Sequence, residues 1–183
     1  QCGDIDSRDG VSRYCGLERK MTTRLLLLVA VLSSSIAGCS PQSDTRTATA
    51  TGLDANFERD KLVIVANDGT RLDFDVYLAV DFEQQRRGLM FVRDLPERTG
   101  MLFVYEDEAI HSMWMKNTYI PLDIVFARSD GSVSSVIQDT EPQSLRSLRS
   151  IEPVSFVLEL NAGVTRRYNI GSKSRLIWSP TAD

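Results

Sequence analysis

The stretch KLVIVANDGTRLDFDVYL, residues 61–78, decides the fold class. Its first six residues are short and rich in β-branched side chains. After Asn67-Asp68-Gly69 the chain alternates, with Leu72, Phe74, Val76 and Leu78 on one side. Apolar residues at every second position make one buried strand face, so two such runs about an Asn-Asp-Gly turn predict a β-hairpin.

Downstream, Asp81 precedes FEQQRRGLM with Gln84 three residues on, a capping-box pattern that predicts a short helix. Gly88 predicts either the end of that helix or a close backbone approach. Gly100 to Tyr105 reads as an apolar strand, followed by an acidic loop at Glu106-Asp107-Glu108. His111 to Asn117 is predicted as a strand, Tyr119-Ile120-Pro121 as a turn and Leu122 to Ala127 as a strand. Ser129-Asp130-Gly131 then predicts a hairpin turn into Val133 to Ile137. Residues 139–151 read as a loop, Val154 to Leu160 as a strand, and Asn161 as the cap of a short helix reaching Tyr168. Ser174 to Trp178 closes the domain as a last strand. Many short strands with one or two short helices predict an α+β, mainly β domain. Its sheet is expected to be compact, mainly antiparallel and curled into a small barrel or sandwich.

Before this domain the character changes. Met21 to Cys39, MTTRLLLLVAVLSSSIAGC, has a positive residue, a short apolar run and small residues, the layout of a secretory signal. The apolar run is too short for a bilayer, which needs roughly 20 apolar residues. Its ending, Ile36-Ala37-Gly38-Cys39, resembles the bacterial lipobox, in which the Cys sulfur is diacylated and becomes the mature N-terminus. The expected organisation is a non-native upstream segment at 1–20 and a lipoprotein signal peptide at 21–38. A lipidated Cys39 and flexible tether then occupy 39–56, and a single β-rich domain 57–183. Cys2 and Cys15 fall upstream, so the mature domain is expected to have neither disulfide nor thiol nucleophile and to rest on its core. Ser40 after the anchor, rather than Asp, predicts the periplasmic face of the outer membrane. The membrane is thus one expected partner, through the lipid.

The chain of 183 residues carries a net charge of −4, is 42% hydrophobic and 25% charged, and shows no basic patch. Nucleic acid is not an expected partner. No glycine spacing matches a phosphate loop, and no cofactor is expected.

Five segments carry a longer pattern: Arg87-Gly88-Leu89-Met90, Gly100-Met101-Leu102-Phe103, Trp114-Met115-Lys116-Asn117-Thr118, Ile120-Pro121-Leu122-Asp123-Ile124 and Leu158-Glu159-Leu160-Asn161-Ala162-Gly163. Their order and spacing resemble the domain-of-unknown-function 192 family, over about residues 58–178. The resemblance implies a compact β-rich domain, often exported in bacteria, and no established activity. The chain departs from that pattern at Met113 and His111.

Three sets of side chains bear on function. Lys116, Asn117, Asp123, Glu159 and Asn161 form a candidate ligand site, because charges inside apolar strands need solvent or partners. The same residues could serve a structural ion-pair network, or a hydrolase with a carboxylate base and Lys116 as electrostatic stabiliser. His111, Met113 and Met115 alternate; on one strand face their imidazole and thioethers would suit Cu(I). Arg86 and Arg87 are expected to reach a carboxylate such as Glu159 and tie helix to sheet. Trp114 and Trp178 read as core. The leading expectation is non-catalytic binding of a small ligand or an envelope protein.

Overall fold

The computed structural model describes residues 52–180. The expected upstream segment, signal peptide, Cys39 and most of the tether lie outside these residues. The elements run β1 (Arg59–Val65), β2 (Arg71–Ala79), α1 (Phe82–Arg87), β3 (Thr99–Ala109), β4 (Ser112–Met113) and β5 (Leu122–Ala127). They continue as β6 (Val133–Ile137), β7 (Leu148–Arg149), β8 (Val154–Asn161), α2 (Val164–Arg167) and β9 (Arg175–Ile177).

Seven strands form one sheet in the order β6-β5-β8-β3-β2-β1-β9, and β4 pairs with β7 apart from it. The opening hairpin pairs Leu62 with Phe74 and Ile64 with Leu72. Every neighbouring pair is antiparallel except β2 with β3. A parallel pair needs a crossover, and α1 lies in that connection. The sheet curls into a half-barrel whose two edges meet at a single bridge, Ser132 with Arg175. There the Val133 amide donates to the Ser174 carbonyl at 3.0 Å and the Leu176 amide to the Gly131 carbonyl at 2.8 Å. Gly131 makes this approach possible, since a Cβ on it would stand 2.1 Å from the Leu176 carbonyl oxygen.

Two cores follow from the curl. The concave face draws Leu62, Phe74, Leu102, Val125, Leu158 and Leu176 from across the sheet, with Val164 and Ile170 packed among them. The convex face carries Tyr77, Met101, Phe103, Ile124 and Val157, covered by Leu53, Leu89, Leu95, Met113 and Met115. Strand neighbours that stand opposite share a face, and a step of one residue moves a side chain to the other core.

Several boundaries differ from the sequence reading. The acidic triplet is not a loop. Residues 106–109 continue β3 past a bulge that begins after Val104, with their side chains exposed. The strand expected at 111–117 is only two residues long. Past Met113 the backbone turns, tied by the Met115 amide to the Ser144 carbonyl. Helix α1 stops at Arg87, because Gly88 takes φ 47° and ψ −141°, where a side chain is strained. Asn161 does not cap α2: that cap is Gly163, while the Asn161 amide donates to the Leu95 carbonyl at 2.5 Å. Packing begins before Phe57, with Leu53 buried and Asp54 accepting from the Tyr77 hydroxyl.

Candidate functional site

Glu159 stands on β8 opposite Met101 of β3 and Ile124 of β5, and therefore on the convex face. The residue is 4% exposed, and its carboxyl meets neither a hydrogen-bond donor nor a cation among the described residues. Burial disfavours the charged form and pushes its pKa up to about 8. At neutral pH Glu159 is a protonated carboxylic acid, able to donate one hydrogen bond and accept others.

The carboxyl closes a narrow throat of about 80 Å³, walled by Gly88, Met90, Phe103, Tyr105, Met113 and Trp114. Each wall has a local reason. The capping box, with Asp81 accepting from the Gln84 amide and Gln84 accepting from the Asp81 amide, starts α1. Gly88 then turns the chain close over the sheet. A Cβ there would lie 3.2 Å from Phe103 Cζ and 4.0 Å from Glu159 Oε2. On the other side β4 ends at Met113, so Trp114 is released from the sheet and is 47% exposed. The expectation that Trp114 belongs to the core is corrected on this point.

The throat shares Arg86, Arg87, Met90, Trp114 and Lys116 with a larger cleft of about 610 Å³, which adds Phe91 and Asn117. Arg86 is held by Glu83 on the same helix at 2.5 Å. Arg87 and Lys116 meet no carboxylate among the described residues, and Lys116 Nζ lies 5.1 Å over the Trp114 ring. The expected tie from an Arg to Glu159 is absent from the described ion pairs; α1 is instead tied to the sheet by Gln85, whose side-chain amide donates to the Val104 carbonyl of β3 at 2.9 Å. Phe91 and Asn117 both take left-handed backbone, φ 67° and 57°, and the Phe91 amide donates to the Asn117 carbonyl at 2.8 Å. Asn accepts this conformation readily, whereas an aromatic residue is strained in it. Phe91 presents its ring 53% exposed at the cleft.

The five residues expected to converge divide. Lys116, Asn117 and Glu159 border one continuous set of walls. Asp123 stands opposite Leu160, one residue out of step with Glu159, and so faces the concave core. It is fully buried and satisfied there. Its Oδ2 accepts from the Thr165 amide at 3.0 Å and hydroxyl at 2.7 Å, and its Oδ1 from the Asp139 amide at 2.9 Å. Asp123 thus anchors the first turn of α2, the role expected of Asn161. Asp123 lies across the sheet from Glu159, and among the described residues Lys116, Asp123 and Glu159 do not converge as a hydrolase would need.

His111, Met113 and Met115 are not aligned on one long strand. His111 stacks on Tyr105 at 3.5 Å between ring centroids, its Nε2 is buried without a hydrogen-bond partner among the described residues, and burial lowers its pKa. The Met113 sulfur lies 3.9 Å from the Tyr105 hydroxyl, and the Met115 sulfur accepts from Thr140 at 3.2 Å. Among the described residues no three His, Cys, Asp or Glu side chains gather to hold a metal ion. Sequence reasoning missed Phe91 as a site wall, whereas both the helix end and the close backbone approach foreseen at Gly88 are observed.

No curated protein matches the chain. Two solved structures are similar to it. One is a protein from Sinorhizobium meliloti 1021, described provisionally as a transcription regulator. It is 38% identical with a TM-score of 0.65, over 66% of this chain and 94% of that one. The other is a protein of unknown function from Novosphingobium aromaticivorans DSM 12444. It is 30% identical with a TM-score of 0.64, over 67% of this chain and 86% of that one. The family model DUF192, described as an uncharacterized ACR, matches residues 63–178. By that match and by the β half-barrel behind it, the chain belongs to the DUF192 family.

Proposed function

We propose that this domain is a non-catalytic binding module that takes a small ligand in the cleft beside α1, with Glu159 at its floor and Lys116 at its mouth. The observation that carries this reading is the Glu159 carboxyl, only 4% exposed at the throat and meeting no hydrogen-bond donor or cation among the described residues. A buried polar group without a hydrogen bond costs roughly 1–3 kcal/mol, and such a group calls for an explanation in function. The strained Phe91 backbone and the exposed Trp114 beside it support the same reading, since strain collects at ligand sites. The test is a thermal-shift screen of the full chain in detergent against periplasmic metabolites, sugars and peptidoglycan fragments. A ligand is expected to raise the melting temperature of wild type and to lose most of that effect in K116A and E159Q. If no compound shifts wild type, the site is structural.

We further propose that the module works in the bacterial envelope, lipid-anchored through Cys39 at the periplasmic face of the outer membrane. The lipobox-like stretch Ile36 to Cys39 supports this. Cys39→Ser is expected to abolish acyl labelling and membrane retention; continued acylation would overturn the assignment.

A further inference from the structure

We infer that the ligand is zwitterionic: a primary amine enters the throat to meet Glu159, and a carboxylate or phosphate is held at the mouth by Arg87 and Lys116. The inference rests on the binding reading above and adds the chemistry of the ligand.

The floor asks for a donor. Nothing in the described structure hydrogen-bonds the Glu159 carboxyl, and the shift in its titration has burial as its cause. An ammonium supplies three donors and a full charge, which offsets the desolvation of a buried carboxylate better than any neutral group. The throat sets the size of what can reach it. At about 80 Å³ it is far smaller than the 610 Å³ cleft with which it shares walls, so a compact aminomethyl end suits it better than a ring. The walls suit that end as well. Phe103, Tyr105 and Trp114 line it with aromatic rings and Met90 and Met113 with soft thioethers, residue types favourable to an ammonium and its adjoining methylene.

The mouth has the opposite demand. Its acids are engaged, Glu83 with Arg86 and Asp81 with the Gln84 amide. Arg87 and Lys116 are left without carboxylate partners among the described residues and face the larger cleft. Two such cations favour an anion, and Arg87 can grip a carboxylate or phosphate with two parallel bonds. The exposed faces of Trp114 and Phe91 flank the space between, where an apolar spacer would lie.

Binding is coupled to a proton. The titratable and charged groups facing the throat are Arg86, Arg87, Lys116 and Tyr105, and none is an acid that could take the place of Glu159. Tyr105 stays protonated, pushed up to about 12 by burial and by the charge of Glu159. When the ammonium docks, neutral Glu159 loses its proton to solvent and a carboxylate–ammonium pair forms. One proton is released per ligand bound, and affinity rises up to about tenfold per pH unit until Glu159 is ionised in the free protein.

The experiment is isothermal titration of the full chain in detergent with glycine, β-alanine, 4-aminobutyrate, 5-aminopentanoate and 6-aminohexanoate. Butylamine and butyrate serve as single-ended controls. Titrations are run at pH 6.5 in two buffers of different ionisation enthalpy. One chain length is expected to bind at least tenfold more tightly than either control, with release of one proton. E159Q is expected to lose the proton release and the advantage of the amine. R87A and K116A, both surface changes, are expected to keep the proton release and lose the advantage of the acid. If butyrate binds as tightly as the amino acids without proton release, the amine assignment is overturned while the cleft remains a binding site for an anion. If no member of the series binds, the zwitterion is overturned. A hit of another chemistry in the thermal-shift screen then leaves the binding reading standing, and no hit removes both.

Discussion

Two carboxylates, Asp123 and Glu159, interrupt apolar strands in the same way and end in opposite circumstances. Asp123 has three donors; Glu159 has none among the described residues. The sequence shows both interruptions but not the one-residue offset between β5 and β8 that sends them to different cores. The two respond differently to change. The proton held by Glu159 in the folded state, where its pKa is about 8 against an ordinary 4.5, is released on unfolding. Its contribution to stability is therefore full below pH 4.5 and is lost as pH rises to about 8. The slope is on the order of 1 kcal/mol per pH unit. Thermal denaturation of E159Q between pH 5 and 8 is expected to lack that slope, and an identical slope in both proteins would contradict the assignment. D123A is expected to lower stability by about 3 kcal/mol in urea denaturation, because it strands the Thr165 and Asp139 donors. Ligand affinity at the cleft should be unaffected, since Asp123 faces away from it.

Helix α1 shows how far local pattern reaches. Its start is legible, because Asp81 and Gln84 cap each other's amides through bonds within four residues. Its end is legible only as a choice, and backbone conformation with tertiary contact decides it: Gly88 turns at φ 47°, and a Cβ there would press to 3.2 Å from the Phe103 ring. D81A is expected to cost about 1 kcal/mol and to weaken ligand binding modestly by loosening the wall that carries Arg87. Phe91 lies beyond the reach of pattern reading. Nothing in its neighbours announces a left-handed aromatic, which the Asn117 carbonyl holds from 26 residues away. Phe91→Gly relieves about 1 kcal/mol of backbone strain. The variant should melt no lower than wild type yet bind ligand less tightly, a divergence readable by calorimetry of the two proteins side by side. The segment 111–117 misled for the converse reason. Its alternation of His111, Met113 and Met115 mimics a strand, but only Ser112 and Met113 find a pairing partner in β7.

At the scale of the domain, the mainly β class, the opening hairpin and most of the sheet strands follow from period-two patterning and turn residues. The parallel placement of β2 beside β3 does not, since it depends on where the crossover carries the chain. Nor does the meeting of the two sheet edges, which rests on Gly131, on the bridge at Ser132 and on Arg175 reaching the Asp130 carbonyl at 2.8 Å. Gly131→Ala is expected to part that seam. Amide exchange at Val133 and Leu176 should speed up well before exchange at the centre of β8. The meeting has a bearing on solubility as well. A strand edge left open is a template for another chain. Here β6 and β9 are the two outer strands, both short, and where they converge each shields the other's hydrogen-bonding groups with charged side chains alongside. The same glycine that lets the sheet curl thus guards it against edge-to-edge association, and the Gly131→Ala protein should show its defect first as concentration-dependent aggregation rather than as loss of the cleft.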